Sequence, residues 1–441
     1  MPFDSDHRNA TFTRRRALQL GGLLGLTGVA AACGTDDAGG PATSAPPTTP
    51  TPTSSSVASV PSSSSESALP SVTTSSSTSA PAGAFVLDDA AMADLDAIFT
   101  EQFTKSGIAG MAAKVWVGGK TWEKVSGVKD LESGAAFVPT ETVRIASITK
   151  SFCATAVLQL VDAGSVKLDD VLETYVPGIA NGEEITVELL LGMRSGIFDF
   201  TSDDKFLADF DADPTMAWSN ADTVAVIKKH DPLFAPGEKV SYCDSNYVLL
   251  GMIVEKVTGR PAGEVINESL VAELDLPKTV YPADSSLPEP HPTGYVPTGP
   301  AATDPQATFD NKKYPPVVVN DVNPAVPATA GAMVSTLDDL AVWGRELAEG
   351  SLLKPETQAL RLQGNRFDGV PINLGYGLGC EVLNDFIGHN GAVLGFSSVV
   401  MRYPAMDFTV AAVGNESTNF STPTSTFVYA VIQKLFPDQW K

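Results

Sequence analysis

A long stretch without bulky apolar side chains limits where this chain can fold. Residues 34–84 consist mostly of Ser, Thr, Pro and Ala. A segment of that composition cannot bury enough apolar surface to offset the entropy lost on ordering, so the pattern predicts a disordered linker. As a flexible coil of about 50 residues it would span roughly 40 Å. The folded part is therefore expected within residues 85–441, which is long enough for one large domain or two ordinary ones.

The residues before the linker predict an export signal. The segment TRRRALQLGGLLGLTGVAAACG begins with arginines that resemble a twin-arginine signal and continues as a Gly-rich apolar run too short for a transmembrane helix. Three alanines precede Cys33, which resembles the lipidated cysteine of a bacterial lipoprotein. We expect residues 1–33 to direct export, with a lipid at Cys33 anchoring the protein to the outer side of the cell membrane. Cleavage after Ala32 without lipidation would give a secreted protein instead.

The charge balance limits the partners of the chain. It has 52 acidic and 29 basic residues, for a formal net charge of −23. A nucleic-acid-binding protein needs a basic surface, so we expect no nucleic acid as partner. The acidity fits a soluble surface. In such a chain, a lysine placed beside an apolar helix face needs an explanation.

Periodic patterns at both ends of residues 85–441 predict the architecture. DDAAMADLDAIFTEQFTKSG has helical spacing and ends at Gly107, and MAAKVWVGGKTWEKVSG predicts a hairpin that turns at Gly118 and Gly119. SSVVMRYPAMDFTVAAVGN predicts a second strand pair turning near Pro404, followed by a helix around Phe427 to Phe436. Strands at both ends with helical patterns between them predict an α+β fold with one antiparallel sheet assembled from distant segments.

A Pro- and Gly-rich stretch from Tyr281 to Ala330 is too long for a plain connection. Long segments of this kind inside a domain are functional loops or disordered segments. We expect it to border a cleft.

The most informative short motif is Ser-x-x-Lys. It occurs four times, but only Ser147 and Lys150 open a sustained helical pattern, which ends at Gly164. Residues three apart share a helix face, so Lys150 can reach the hydroxyl of Ser147. A helix N-terminus offers free N–H groups that can stabilise an oxyanion, and a lysine beside apolar neighbours can act as a base. By itself, the motif fits a helix-capping serine followed by an exposed lysine better than a catalytic pair.

Two further motifs favour the catalytic interpretation. Tyr242-x-Asp244 stands at the start of another helical pattern, and His389-Asn390-Gly391 stands just ahead of a predicted strand. In this order, the three motifs resemble those of the serine β-lactamase and D-alanyl-D-alanine carboxypeptidase superfamily, with its penicillin-binding-protein-like serine hydrolases. The nearest branch contains class C β-lactamases, carboxypeptidases with a His-Thr-Gly third motif, and related esterases. The resemblance covers roughly residues 85–441.

The resemblance implies a fold and a reaction. It implies a β-lactamase/transpeptidase-like fold, in which an antiparallel sheet with flanking helices and a mostly helical insert enclose a cleft. Ser147 would attack a carbonyl to form an acyl-enzyme, and Lys150 and Tyr242 would share the proton transfers, with the base left open. No cofactor and no metal are implied, and the sequence has neither a metal-binding His pair nor a phosphate-loop pattern.

The resemblance also assigns roles around the substrate. The backbone N–H groups of Ser147 and Ala392 would form the oxyanion hole. His389 would orient Tyr242 or meet a substrate carboxylate, and Gly391 would let the backbone approach the substrate. Asn390 and Asp244 would also contact substrate.

The substrate itself stays open at this level. A long tether outside the membrane favours a D-alanyl-D-alanine carboxypeptidase acting on peptidoglycan-type peptides. The alternatives are an esterase or β-lactamase of the same fold, with a small ester or β-lactam as substrate, and a non-catalytic envelope lipoprotein that only binds.

Asp244 departs from the asparagine that is commoner in the family. An ionised carboxylate cannot donate a hydrogen bond to a substrate carbonyl, and it favours the ammonium form of a facing lysine. We therefore expect the base role to move toward Tyr242, with slow β-lactam turnover and ester or thioester hydrolysis easier than peptide cleavage. If Asp244 only forms a local cap or salt bridge, its identity has no kinetic effect.

Three cysteines follow Cys33. Cys153 lies near Lys150 on its helix, and Cys243 adjoins Tyr242, which the family motif brings against that lysine. A Cys153–Cys243 disulfide is one expectation for an oxidising compartment, with Cys380 a buried free thiol; three buried thiols are the alternative.

Overall fold

The computed structural model describes residues 85–302, 304, 307–417 and 422–441. The predicted export signal (residues 1–33), the lipidation site at Cys33 and the linker (residues 34–84) lie outside the described residues. Within the described part of the chain, no helix is long and apolar enough to cross a bilayer.

A large antiparallel sheet dominates the fold. Eight strands lie in the order β2-β1-β12-β11-β10-β9-β8-β7, so the first hairpin pairs with the last strand of the chain. The strands of this sheet are β1 Gly110–Val117, β2 Lys120–Gly127, β7 Asn365–Arg366, β8 Leu374–Tyr376, β9 Glu381–Leu383, β10 Phe386–Val393, β11 Phe396–Tyr403 and β12 Phe408–Gly414. Two small ladders pair β3 Val143–Arg144 with β6 Val334–Ser335, and β4 Tyr295–Val296 with β5 Val317–Val318.

Eleven α-helices are found among the described residues. They are α1 Asp89–Ser106, α2 Thr149–Asp162, α3 Val187–Leu191, α4 Asp204–Ala212, α5 Asn220–Ile227, α6 Asp244–Thr258, α7 Ala262–Ile266, α8 Ala328–Gly331, α9 Leu337–Glu349, α10 Pro355–Arg361 and α11 Pro423–Leu435. The α+β fold class, with one sheet built from distant segments, is thereby confirmed.

Local patterns produced the elements at both ends of the folded part. Helix α1 ends at Gly107, whose φ of 68° suits glycine. The β1–β2 hairpin turns through Gly118 and Gly119, with φ of 52° and 80°, as its two-residue loop requires. The second strand pair, β11 and β12, turns through a short 3₁₀ segment that begins at Pro404.

Helices cover both faces of the sheet because successive residues of a strand point to opposite sides. On β12, the ring of Phe408 lies 4.8 Å from that of Phe436, which directly follows α11. The next residue, Thr409, faces α9, where Gly344 comes close to Val400. Helices α1 and α11 lie together on the first side, with Phe99 and Phe427 in edge contact at 5.6 Å.

The helical part of the fold, with α2 and α6 at its centre, lies next to α9 and strand β10. Phe152 of α2 stacks on Trp343 of α9 at 3.6 Å, and the Trp343 indole donates a hydrogen bond to Ser151. Helix α2 is buried along most of its length. This packing fixes the N-terminal end of α2 against strand β10.

The long stretch from Tyr281 to Ala330 runs over this junction and contains the β4–β5 pair. Its last residues, including Val326, Pro327 and Ala330, line the same cavity as Ser147. The expectation that this stretch borders a cleft is confirmed for its C-terminal end.

Candidate active site

Ser147 lies in a one-turn 3₁₀ segment, Ala146–Ile148, that leads directly into α2. The prediction that Ser147 opens a helix is confirmed, with a tighter first turn than expected. Ala146 has a φ of 48°, in the left-handed region that is unfavourable for a residue with a Cβ. The residue before the nucleophile therefore holds a strained backbone, and its side chain lines the cavity beside Ser147.

Lys150 is fully buried one helical turn after Ser147. Its Nζ lies 3.0 Å from Ser147 Oγ, 2.5 Å from Asp244 Oδ1 and 2.7 Å from the carbonyl oxygen of Ala330. These three acceptors match the three donors of an ammonium group. Lys150 is thus held as the link between the nucleophile and the Asp244 carboxylate.

The second motif lies at the start of α6, where Asp244 is the first helical residue. The Tyr242 ring centroid lies 4.9 Å from Lys150 Nζ. Burial and the Asp244 charge raise the pKa of Tyr242 well above its ordinary value, against the opposing effect of the Ser147 hydroxyl. Tyr242 is therefore a protonated phenol at neutral pH.

His389 lies within strand β10 rather than ahead of it, and it is fully buried. Its Nδ1 lies 2.5 Å from the carbonyl oxygen of Asn390 and its Nε2 lies 2.9 Å from the Tyr376 hydroxyl. A carbonyl can only accept, so Nδ1 carries the proton and Nε2 accepts from Tyr376. Burial and the Lys150 charge lower the pKa of His389 to about 3.

Both ring nitrogens of the buried His389 have partners within the protein, which favours the positioning role over contact with a substrate carboxylate. Its ring centroid lies 6.2 Å from that of Tyr242, and the Tyr376 ring packs edge-on against both. His389 can therefore position Tyr242 through packing.

Gly391 allows strand β10 to approach the nucleophile turn. A Cβ at this position would lie 2.2 Å from the carbonyl oxygen of Ile145 and 3.1 Å from the Cβ of Ala146. The close approach expected of Gly391 is therefore an approach to the turn before Ser147. Asn390 and Ala392 border the cavity, although the Asn390 side chain also interacts with the Tyr429 hydroxyl. The oxyanion hole assigned to Ser147 and Ala392 stays a prediction.

Sequence reasoning missed Asp199, which lines the cavity together with Ser147, Tyr242 and Asp244. Its Oδ1 accepts from the backbone N–H and hydroxyl of Thr201, and its Oδ2 accepts from the Asp244 N–H at 3.3 Å. Burial and the Asp244 charge raise the pKa of Asp199 to about 7. Asp-x-Thr in the sequence indicates only a local turn; the proximity of Asp244 arises from tertiary packing.

Two further residues near the site had no signal in the sequence. Tyr376 donates a hydrogen bond to Nε2 of His389, and the buried Glu381 accepts a hydrogen bond from Tyr429. Burial raises the pKa of Glu381 to about 7.

The Cys153–Cys243 disulfide is absent, so that prediction is wrong: Cys153, Cys243 and Cys380 are all buried free thiols. Cys153 Sγ contacts the carbonyl oxygen of Tyr247, whereas Cys243 Sγ contacts that of Ile197. Cys243 has extended backbone angles, with φ of −153° and ψ of 114°. Adjacent side chains on extended backbone point to opposite sides, so Cys243 points away from the site that Tyr242 enters.

Among the residues that the structure describes, no group of three or more His, Cys, Asp or Glu side chains could hold a metal ion. The chemistry that these residues can perform is nucleophilic attack by Ser147 with proton transfer through Lys150, Tyr242 and Asp244.

Comparison with known proteins identifies the family of the chain. The family model described as beta-lactamase matches residues 95–431. Penicillin-binding protein 4 of Amycolatopsis lactamdurans is 32% identical over 202 residues, covering 44% of this chain and 49% of that protein. Protein flp of Staphylococcus aureus strain COL is 25% identical over 338 residues, covering 74% of this chain and 63% of that protein. The chain thus matches about half of the length of the first relative and somewhat less than two thirds of the length of the second.

Solved structures agree in fold. A D-stereospecific amidohydrolase from a Streptomyces species superposes with a TM-score of 0.67 at 30% identity, covering 79% of this chain and 98% of that one. A D-amino acid amidase from Ochrobactrum anthropi SV3 superposes with a TM-score of 0.66 at 22% identity, covering 79% of this chain and 99% of that one. At this identity, the likeness shows the fold alone. With its three motifs assembled in one site and a family match over most of its length, the chain belongs to the beta-lactamase family of serine hydrolases.

Proposed function

We propose that this protein hydrolyses small amides or esters through an acyl-enzyme on Ser147. The observation that carries the proposal is the position of Lys150, whose Nζ lies within hydrogen-bond distance of both Ser147 Oγ and Asp244 Oδ1. A serine hydroxyl is a weak nucleophile unless a base removes its proton as it attacks. The buried lysine is placed to do so.

The proton path begins with the ammonium of Lys150, which passes one proton to the Asp244 carboxylate. The resulting amine removes the Ser147 proton as Oγ bonds to the substrate carbonyl carbon. The protonated phenol of Tyr242 donates to the leaving nitrogen or oxygen and regains a proton from Lys150. Water then releases the acyl group, and the proton on Asp244 returns to Lys150. Tyr242 thus acts as the acid and not as the base.

The cavity favours a substrate without a carboxylate next to the scissile bond. Among its described lining residues there is no Lys, Arg or His, and His389 is buried and neutral. A carboxylate would lie near Asp199 and Asp244 without a cation to pair with. We therefore propose amide or ester hydrolysis ahead of D-alanyl-D-alanine carboxypeptidase activity, and we expect slow reaction with penicillins, which also carry a carboxylate.

A fluorophosphonate probe tests the acyl-enzyme proposal directly, because it labels activated serines and carries no carboxylate. We expect one label per molecule, mapped by mass spectrometry to Ser147 and absent from Ser147→Ala. Ser126→Ala, which removes the serine of another Ser-x-x-Lys motif, should label normally. If the wild type takes up no label at Ser147, the acyl-enzyme proposal fails and the non-catalytic binding protein is favoured.

Carboxypeptidase action on cell-wall peptides is the second candidate, because one relative is named a penicillin-binding protein. Release of D-alanine from an acetylated peptide ending in D-Ala-D-Ala tests it. A rate that matches or exceeds the rate on the corresponding amide would favour this candidate.

At the N-terminal side of the folded domain, we propose that residues 1–33 direct export, that Cys33 carries a lipid, and that residues 34–84 tether the enzyme outside the membrane. Wild-type protein should partition with membranes, and Cys33→Ala should be released or retained as precursor. Wild-type protein found only in the soluble extracellular fraction would contradict the lipid anchor.

A further inference from the structure

We propose that Asp199 selects substrates that carry an ammonium group next to the scissile carbonyl, such as amino-acid amides and esters with a free amino group. The inference rests on the proposed function, because it names the substrate class for the same cavity. Asp199 is not part of the three motifs, and the proton path does not use it.

The position of Asp199 is the first argument. Its carboxylate lies at the cavity wall between Phe200 and the start of α6, and it accepts the Asp244 N–H. Asp244 is joined to Ser147 through Lys150 alone. Because an α-ammonium is only two bonds from the carbonyl carbon, a substrate attacked by Ser147 can place its ammonium near this carboxylate pair.

The charge balance is the second argument. Two carboxylates, Asp199 and Asp244, border the cavity, and Lys150 is the one cation that contacts either of them among the described residues. Lys150 pairs with Asp244 and reaches no atom of Asp199 within salt-bridge distance. Three hydrogen bonds to Asp199 leave one of its acceptor positions for a ligand. A substrate ammonium would supply the missing positive charge.

The surroundings of Asp199 fit the rest of such a substrate. Phe200, Phe206 and Phe210 line the cavity, and the rings of Phe200 and Phe206 lie 5.0 Å apart. An apolar or aromatic side chain on the amino acid can pack against these rings, while its ammonium faces Asp199. Phenylalanine amide combines both features and is therefore a suitable probe.

The test measures binding by calorimetry in a Ser147→Ala background, which removes turnover from the measurement. Phenylalanine amide, as separate D and L forms, is compared with its N-acetyl counterpart at pH 7, below the α-amino pKa of about 7.7–8.0, so that the amide is mainly an ammonium. We expect the ammonium form of at least one enantiomer to bind about tenfold more tightly or better, as a charge-assisted hydrogen bond provides. In Asp199→Asn this ratio should fall to near one. The asparagine can still accept from Thr201, so the turn is retained.

Asp209→Asn is the matched control, because it removes the same charge from α4, the helix of Phe206 and Phe210, on its solvent side. It should keep the wild-type ratio. The inference is overturned if phenylalanine amide and N-acetylphenylalanine amide bind with equal affinity. It is also overturned if neither enantiomer of phenylalanine amide binds measurably, or if the affinity ratio is unchanged in Asp199→Asn. The fluorophosphonate label on the wild-type enzyme is independent of these ratios, so failure of the acyl-enzyme proposal is recognised separately.

Discussion

The Nζ atom of Lys150 lies 2.5 Å from Oδ1 of Asp244, and the lysine is shielded from solvent. The pair places a carboxylate where an asparagine is commoner in the family. Asp244 accepts from the lysine as an asparagine would, but it also adds a negative charge beside Tyr242 and Asp199. That charge opposes tyrosinate formation, so the expectation that the base role moves to Tyr242 loses its physical support.

Replacing Asp244 with Asn should raise the ratio of amide to ester hydrolysis, because an asparagine amide can donate to a substrate carbonyl. It should also move the acidic limb of kcat/KM for an ammonium-bearing amide to lower pH. The pKa of Asp199 is raised to about 7 by burial and by Asp244, so Asp199 gains its charge as pH rises through that range. Asp244→Asn removes the Asp244 charge, one of these two causes, so Asp199 ionises at lower pH.

The measurement compares pH profiles of wild type and Asp244→Asn on matched phenylalanine amide and ester substrates, with Asp209→Asn as control. Lys150 and the Cys243 thiol also lie near the carboxylate pair. Burial raises the pKa of that thiol well above its ordinary value, so it stays neutral over the range. An unchanged amide-to-ester ratio together with an unchanged acidic limb would contradict both effects assigned here to the Asp244 carboxylate.

Gly391→Ala should slow fluorophosphonate labelling of Ser147 by about 100-fold, the scale of loss that a misplacement of about 1 Å can cause. The added Cβ would lie 2.2 Å from the Ile145 carbonyl oxygen, so the strand or the nucleophile turn must move. Gly118→Ala is the control: its Cβ meets nothing within 4 Å, and its strain comes from φ of 52° far from the site. Normal labelling of Gly391→Ala would contradict the requirement for close approach.

Glu381→Gln should stabilise the protein at pH 8 but not at pH 4. Burial raises the pKa of Glu381 from 4.5 to about 7 in the folded state. The folded state therefore holds the Glu381 proton more tightly than the unfolded state does. The wild type loses stability as pH rises from 4.5, the ordinary pKa of the carboxyl, through about 7. This loss in the free energy of unfolding of the wild type, which Glu381→Gln avoids, amounts to up to about 3 kcal/mol. Thermal unfolding of both proteins across this range measures it.

The exposed Glu132→Gln provides the comparison for Glu381→Gln and should show no such pH dependence. A Glu381→Gln curve parallel to that of the wild type would rule out the buried, proton-holding carboxyl.

Alkylation of the unfolded, unreduced protein should modify Cys153, Cys243 and Cys380 alike, because each thiol lies in a separate buried environment. Peptide mapping by mass spectrometry identifies the modified residues. Recovery of a peptide in which Cys153 is linked to Cys243 would contradict the arrangement in the structure.

Features encoded by neighbouring residues were predicted from the sequence. The hairpin at Gly118 and Gly119 and the helix that ends at Gly107 depend on backbone angles that a few residues decide. The pairing of Ser147 with Lys150 depends on the spacing of one helix. Short strands such as β7 and β8, with two and three residues, carry too little periodicity to be recognised.

The sequence by itself determined which residues can react, because nucleophile, lysine and tyrosine stand in local motifs whose helical or turn geometry follows from spacing. Only the tertiary structure decided what surrounds them. Tyr376 meets His389 and Asp199 meets Asp244 through packing between segments 13 and 45 residues apart in the chain. The direction in which the Cys243 side chain points depends on the extended backbone just before α6. Such contacts arise from the burial of whole elements against one another, which no short stretch of sequence encodes.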